Sequence, residues 1–212
     1  MKTLIFQEII IHNRIYNLFK YSLMFFTFCI LSVTMISSYE NIQNFGIIFS
    51  VITIPLAFLS LSSNLIKSDI EDGTMEILLT SRSALQIIFA KYISLCLCVI
   101  FSFLLLSPII YLVYDIQLSL FAIIILCALM LILLSSAIIT IIASMQGYFR
   151  SNTNFLSVLI MPLIIPSIIL SGILIQSPFD THYLFIMLGI NLVIIPPVLY
   201  LSAYLIDNIY NI

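Results

Sequence analysis

Six apolar stretches constrain this chain more than any other feature. They run over residues 21–39, 45–66, 87–114, 118–145, 155–176 and 183–206. A membrane-crossing helix needs roughly 20 apolar residues, so each stretch is a candidate span. The third and fourth are longer than that, which predicts tilt or emergence from the bilayer. Of the 212 residues, 63% are hydrophobic and only 8% charged, with a mean hydropathy of +1.27. A soluble domain is nearer half apolar and a quarter charged. So few polar side chains cannot cover a water-facing surface, which excludes a soluble enzyme or binding module. The expected fold class is all-α integral membrane. It has six transmembrane helices in a single domain over residues 1–212, with residues 1–20 forming a short interfacial helix.

The basic residues orient the chain. Lys2, Arg14 and Lys20 precede the first stretch, Lys67, Arg82 and Lys91 lie between the second and third, and Arg150 lies between the fourth and fifth. With six spans, all seven fall on one side of the membrane, while Glu40, Asp115 and Asp180 fall on the other. Random placement would give that split about once in sixty-four, so the positive-inside rule puts the basic side and both termini in the cytoplasm. The expected location is a bacterial inner membrane, or alternatively a mitochondrial inner membrane with the bases in the matrix. Residues 1–20 carry charges throughout and no small-residue cleavage site, unlike a secretory signal peptide. Leu4, Ile11, Ile15 and Leu18 can share one helical face with Gln7, Arg14 and Asn17 opposite, which suits a helix lying on the inner leaflet.

Several chemistries have no residues to carry them. The five glycines are nowhere near the spacing of a G-x-x-x-x-G-K-[ST] phosphate loop, so the chain holds no ATPase site of its own. There is no H-E-x-x-H, and His12 and His182 are expected on opposite sides of the membrane, so no metal site is expected. Cys29, Cys96, Cys98 and Cys127 all lie within apolar runs and form no C-x-x-C pair, which reads as small buried hydrophobes. No charged residue falls at the centre of a span, which argues against a proton-driven carrier. A formal charge of −2 gives no basis for binding nucleic acid.

The connection over 67–86 is the most distinctive segment. It holds Asp69, Glu71, Asp72 and Glu76, four of the nine acids. Asp69, Asp72 and Glu76 would share one face of a continuous helix, while Asp72-Gly73 signals a turn. The segment therefore reads as a short acidic piece, a bend, and an amphipathic turn of Met75, Ile77 and Leu78. Ser83 and Gln86 fit a capping box that opens the third span. Lys91 then lies about 12 Å along that helix, from where its stem can snorkel to the interface. The pattern suggests a surface that docks a partner rather than a merely solvated loop. Pro55, Pro108, Pro162, Pro166 and the Pro196-Pro197 pair punctuate the spans. Pro108 is a candidate helix distorter, and Pro162 and Pro166 should distort the fifth span near its middle. Ser136, Thr140 and Ser144 form a small-residue stripe suited to close helix packing.

Asp69-Ile-Glu-Asp-Gly-Thr-Met-Glu-Ile-Leu, followed by Phe89-Ala-Lys91, resembles the loop after the second span of the CcmB family, haem exporter protein B. Leu106-Ser-Pro108 and Ser157-Val-Leu-Ile-Met-Pro-Leu-Ile-Ile-Pro166 resemble later motifs of that family. The D-G-[ST]-x-E core also occurs in other type-2 ABC exporter permeases. Where family members often carry prolines after it, this chain has Thr80-Ser-Arg-Ser83. The resemblance implies a type-2 ABC exporter permease fold and a role in cytochrome c maturation. It implies a homodimer joined to a separate ATP-binding subunit, CcmA, with the membrane proteins CcmC and CcmD and the haem chaperone CcmE. Haem is then a handled ligand, ATP is bound by the partner, and membrane lipid surrounds the chain. Asp69, Glu71, Asp72, Gly73 and Glu76 become the expected ATPase-docking residues. The alternatives are an exporter permease for lipid, polysaccharide or drug, an ion-coupled carrier, or a membrane scaffold.

Overall fold

The computed structural model describes residues 2–14, 17–36, 42–61, 66–149, 161–177, 180 and 182–210. These form α1 (Lys2–Arg14), α2 (Leu18–Ile36), α3 (Ile42–Leu61), α4 (Lys67–Glu71), α5 (Thr74–Ser81), α6 (Ala84–Val113) and α7 (Leu118–Phe149). A 3₁₀ turn (Met161–Leu163), α8 (Ile165–Gln176) and α9 (His182–Tyr210) complete them. No strand occurs among the described residues. Helix satisfies every backbone group within its own segment, which is what an apolar solvent demands.

Each apolar stretch is helical over most of its described residues. Four helices are long and apolar enough to cross a membrane: Leu18–Met35 within α2, and α6, α7 and α9 with 30, 32 and 29 residues. The other two apolar helical segments are shorter, Gly46–Phe58 within α3 and Ile165–Gln176 in α8. The chain is a multi-pass membrane protein. Phe101, Leu112, Phe185, Leu192 and Val193 stand exposed on α6 and α9, as side chains that meet lipid do.

The prolines act differently from one another. Pro55, Pro108 and the Pro196-Pro197 pair sit inside continuous helices. Pro162 lies in the 3₁₀ turn and Pro166 in the first turn of α8. The first turn tolerates proline because its N–H would have no helical partner there. So the expected distortion between Pro162 and Pro166 takes the form of a fresh helix start, not a bend within one helix. Arg150 and residues 155–160, including Ser157 of the quoted motif, lie outside the described residues, as does Glu40.

α7 is the hub, packed against α3, α6, α8 and α9. Ser136, Thr140 and Ser144 are all buried on it. Ser136 Oγ meets Cys96 Sγ of α6 at 2.8 Å, and Asn191 Nδ2 of α9 donates to the Met130 carbonyl of α7 at 3.2 Å. On the next interface, Ser22 Oγ of α2 and Ser102 Oγ of α6 are 2.7 Å apart. Small hydroxyl residues thus let helices approach and link them, the packing role expected of the stripe. Cys96, Cys98 and Cys127 are buried, Cys29 is half-buried, and all four are free.

Gly46 of α3 shows how close this approach becomes. A Cβ there would collide with the ring of Tyr114, which is itself buried. A Cβ at Gly189 would meet nothing within 4 Å. Gly46→Ala should therefore destabilise the bundle by about 1–3 kcal/mol through overpacking against a rigid ring. Gly189→Ala should be neutral or slightly stabilising, with thermal unfolding in detergent as the measurement.

Candidate functional site

Between α3 and α6 the chain turns through two short helices. α4 stops at Asp72, whose N–H reaches the Ser68 carbonyl at 2.8 Å. Gly73 then takes φ +72°, the left-handed region that glycine enters without a Cβ penalty. Its carbonyl starts α5, accepting from Ile77 N–H. Thr74 Oγ1 donates back to the Asp69 carbonyl at 3.1 Å, tying the two helices across the bend. The acidic piece and the bend read from the sequence are present; of the expected apolar turn, Met75 and Leu78 turn inward but Ile77 does not. The single face shared by Asp69, Asp72 and Glu76 is not present, because the left-handed residue interrupts the helix that would have aligned them.

The two halves of this elbow are seated from within. Met75 of α5 is fully buried, and Leu78 is half-buried. Ile66, just before α4, and Ile70 on it lie over Gly147 of α7, where a Cβ would run into the end of Ile70. Glu71, Asp72 and Glu76 face outward, as does Ile77 at 70% exposure. Arg82 ends α5 in extended conformation, and Ser83 occupies the position before α6. The capping box expected there is absent: Ser83 makes no side-chain cap bond, and its carbonyl accepts from Gln86 and Ile87 N–H at 3.0 and 3.2 Å. The Ser83 carbonyl thus takes up the Gln86 N–H in place of the side chain.

Beneath the elbow lies a feature that the residues of the loop alone do not announce. Lys91 does not snorkel to the interface. It is 2% exposed, and its Nζ donates to Glu8 Oε2 of α1 at 3.0 Å and to Asp69 Oδ2 of α4 at 2.5 Å. An unpaired buried ammonium is very costly. Two carboxylates brought over it by α1 and α4 remove the need to reach water. Glu8 is 3% exposed. It stands one turn after buried Leu4, so the inward face of α1 carries an acid among apolar residues. Phe6, Gln7 and Ile10 turn outward. The sequence shows an acid four residues from Leu4 and a lone base two turns into a span, but nothing in it pairs the two.

The cluster holds two carboxylates to one ammonium. Burial, partly offset by Lys91, pushes the Glu8 carboxyl above its ordinary value of 4.5. Beside the cluster a cleft of about 400 Å³ opens between α1 and the elbow, lined by Glu8, Ile11, Asp69, Asp72, Ile77 and Leu78 among others. No group of three or more metal-ligating side chains occurs among the described residues.

Two outcomes follow from the cluster. Lys91→Met should cost about 3 kcal/mol, because it strands the buried Glu8 carboxyl and the partly buried Asp69 carboxylate, whereas Lys20→Met on the exposed side of α2 should change stability by ~0.5 kcal/mol or less. The folded protein also binds more protons at Glu8 than the unfolded chain does between pH 4.5 and its raised value. Stability at that site should therefore fall as pH rises through this window, and Glu8→Gln should abolish that dependence. Unfolding midpoints across pH measure both.

Residues 1–204 match the family described as CcmB protein. The chain is 43% identical over 209 residues to an uncharacterized protein of Rickettsia prowazekii (strain Madrid E), covering 99% of this chain and 97% of that one. It is 42% identical over 209 residues to an uncharacterized protein of Rickettsia conorii (strain ATCC VR-613 / Malish 7), with the same coverage. The family match takes in α1, the elbow and the Lys91 cluster together. The chain therefore belongs to the CcmB family, the membrane permease component of haem exporters.

Proposed function

We propose that this chain is the permease subunit of an ABC complex for cytochrome c maturation, driven by a separate ATP-binding subunit that docks on the elbow. The observation that carries the reading is the elbow itself. Three exposed acids, Glu71, Asp72 and Glu76, flank an exposed apolar residue, Ile77, on a support held by buried Met75 and by Ile66 and Ile70 against α7. An apolar anchor ringed by charge is the anatomy of a protein-docking patch. Gly73 supplies the bend that presents it. Asp69 contributes from behind, by holding α4 to Lys91, and not as a surface contact.

In this reading the chain crosses the bacterial inner membrane six times in a type-2 ABC exporter arrangement, as one domain. Both termini and the elbow lie in the cytoplasm, where the basic residues concentrate. α1 lies along the inner leaflet. Two copies pair with two copies of CcmA, and CcmC and CcmD join them. Closure of the ATPase pair on ATP pushes the elbow, and through it α6, which follows the elbow after two residues. The work released serves loading or release of the haem chaperone CcmE. Hydrolysis itself belongs to the partner.

The double variant Asp72→Lys/Glu76→Lys tests this. Reversal of two exposed charges should leave membrane insertion intact and weaken binding of the ATP-binding subunit about tenfold or more. ATPase stimulation and c-type cytochrome yield should fall with it. Unchanged stimulation and unchanged yield would contradict the docking role. Deletion of the gene separates haem handling from export of lipid, polysaccharide or drug, since only the first removes c-type cytochromes.

A further inference from the structure

The Lys91 cluster joins three elements through one atom. Glu8 comes from α1, Asp69 from α4 and Lys91 from α6, and both ion pairs meet at Nζ. α1 also packs along α6, while α4 is seated on α7. A purely apolar trio would hold these helices at least as firmly, since replacing a buried ionic cluster with well-packed apolar residues is often neutral or stabilising. What an ionic cluster adds is a single bonded geometry: displaced by an ångström or two, it loses its hydrogen bonds while leaving charge buried. Apolar contacts slide; this one holds or breaks.

We propose that Lys91 is a positioning residue. Through Glu8 and Asp69 it locks α1 to the elbow, so that force applied to the elbow moves α1, α4 and the near end of α6 as one piece. The proposal rests on the docking reading for the source of that force, but the lock itself exists without the partner. Its consequence is that the amphipathic helix on the leaflet surface is a moving part. Each push on the elbow shifts α1 against the lipid headgroups and against α2, with which it also packs.

The experiment compares the parent, Lys91→Arg, and the neutral triple variant Glu8→Gln/Asp69→Asn/Lys91→Met in a Cys29→Ser background, the three remaining native cysteines being buried. The triple variant removes every charge of the cluster, so no carboxylate is stranded and the protein keeps its unfolding midpoint. Spin labels go on Asn13→Cys of α1 and Thr80→Cys of α5, both exposed positions. The parent and Lys91→Arg should give a narrow inter-label distance distribution, and the triple variant should lose it. Adding the ATP-binding subunit with a non-hydrolysable ATP analogue should leave the parent spacing unchanged and shift that of the triple variant. An equally narrow, unshifted distribution in the triple variant would overturn the lock. A parent spacing that changes on ATP binding would overturn it as well, whatever the variant does. Failure of the ATP-binding subunit to bind the parent counts against the docking reading alone, because the lock is read before the subunit is added.

Discussion

Lys91 stands two turns into α6 with its ammonium out of reach of water, and the arrangement of α1 and the elbow answers that fact. A buried ammonium must be paired or moved. Here it is paired twice, with Glu8 from the beginning of the chain and with Asp69 from the connection that carries the exposed acids. The first helix is therefore part of the bundle and not a loose tail. The elbow likewise has a fixed seat, with Asp69 held on one side and Ile66 and Ile70 lying against Gly147 on the other.

That seat gives the surface acids their meaning. Glu71, Asp72 and Glu76 would be ordinary solvated charges on a floppy loop. On a support anchored by fully buried Met75, they form a patch of defined shape around Ile77. A chain with no phosphate loop and few charges has kept them on an elbow that leads directly into a 30-residue helix. Membership of the CcmB family fits a membrane permease component, and the proposed docking of a powered partner would use this patch.

Much of this was legible in the residues. Apolar periods located the helices because lipid leaves the backbone no other option. Asp72-Gly73 revealed the bend because only a residue free of Cβ strain enters φ +72° readily. The Ser136–Thr140–Ser144 stripe revealed a packed face. What stayed hidden were matters of long-range pairing. Nothing near Lys91 in sequence announces that Glu8, 83 residues away, will cover it, so snorkelling looked sufficient. The Ser83 capping box failed for a local reason: the Ser83 carbonyl, not its hydroxyl, accepts from Gln86 N–H. The prolines of the fifth stretch announced a distortion but not its form, since hydropathy does not tell a proline that begins a helix from one that bends it.

The account turns on whether the Lys91 ammonium is sequestered by protein or bathed at the interface. Amine acetylation of the native protein in membranes, read by mass spectrometry, decides it with exposed Lys20 as the internal reference. Sequestration predicts that Lys20 is modified while Lys91 stays protected until the protein unfolds. Modification of Lys91 as fast as Lys20 would place its ammonium in water and contradict the account.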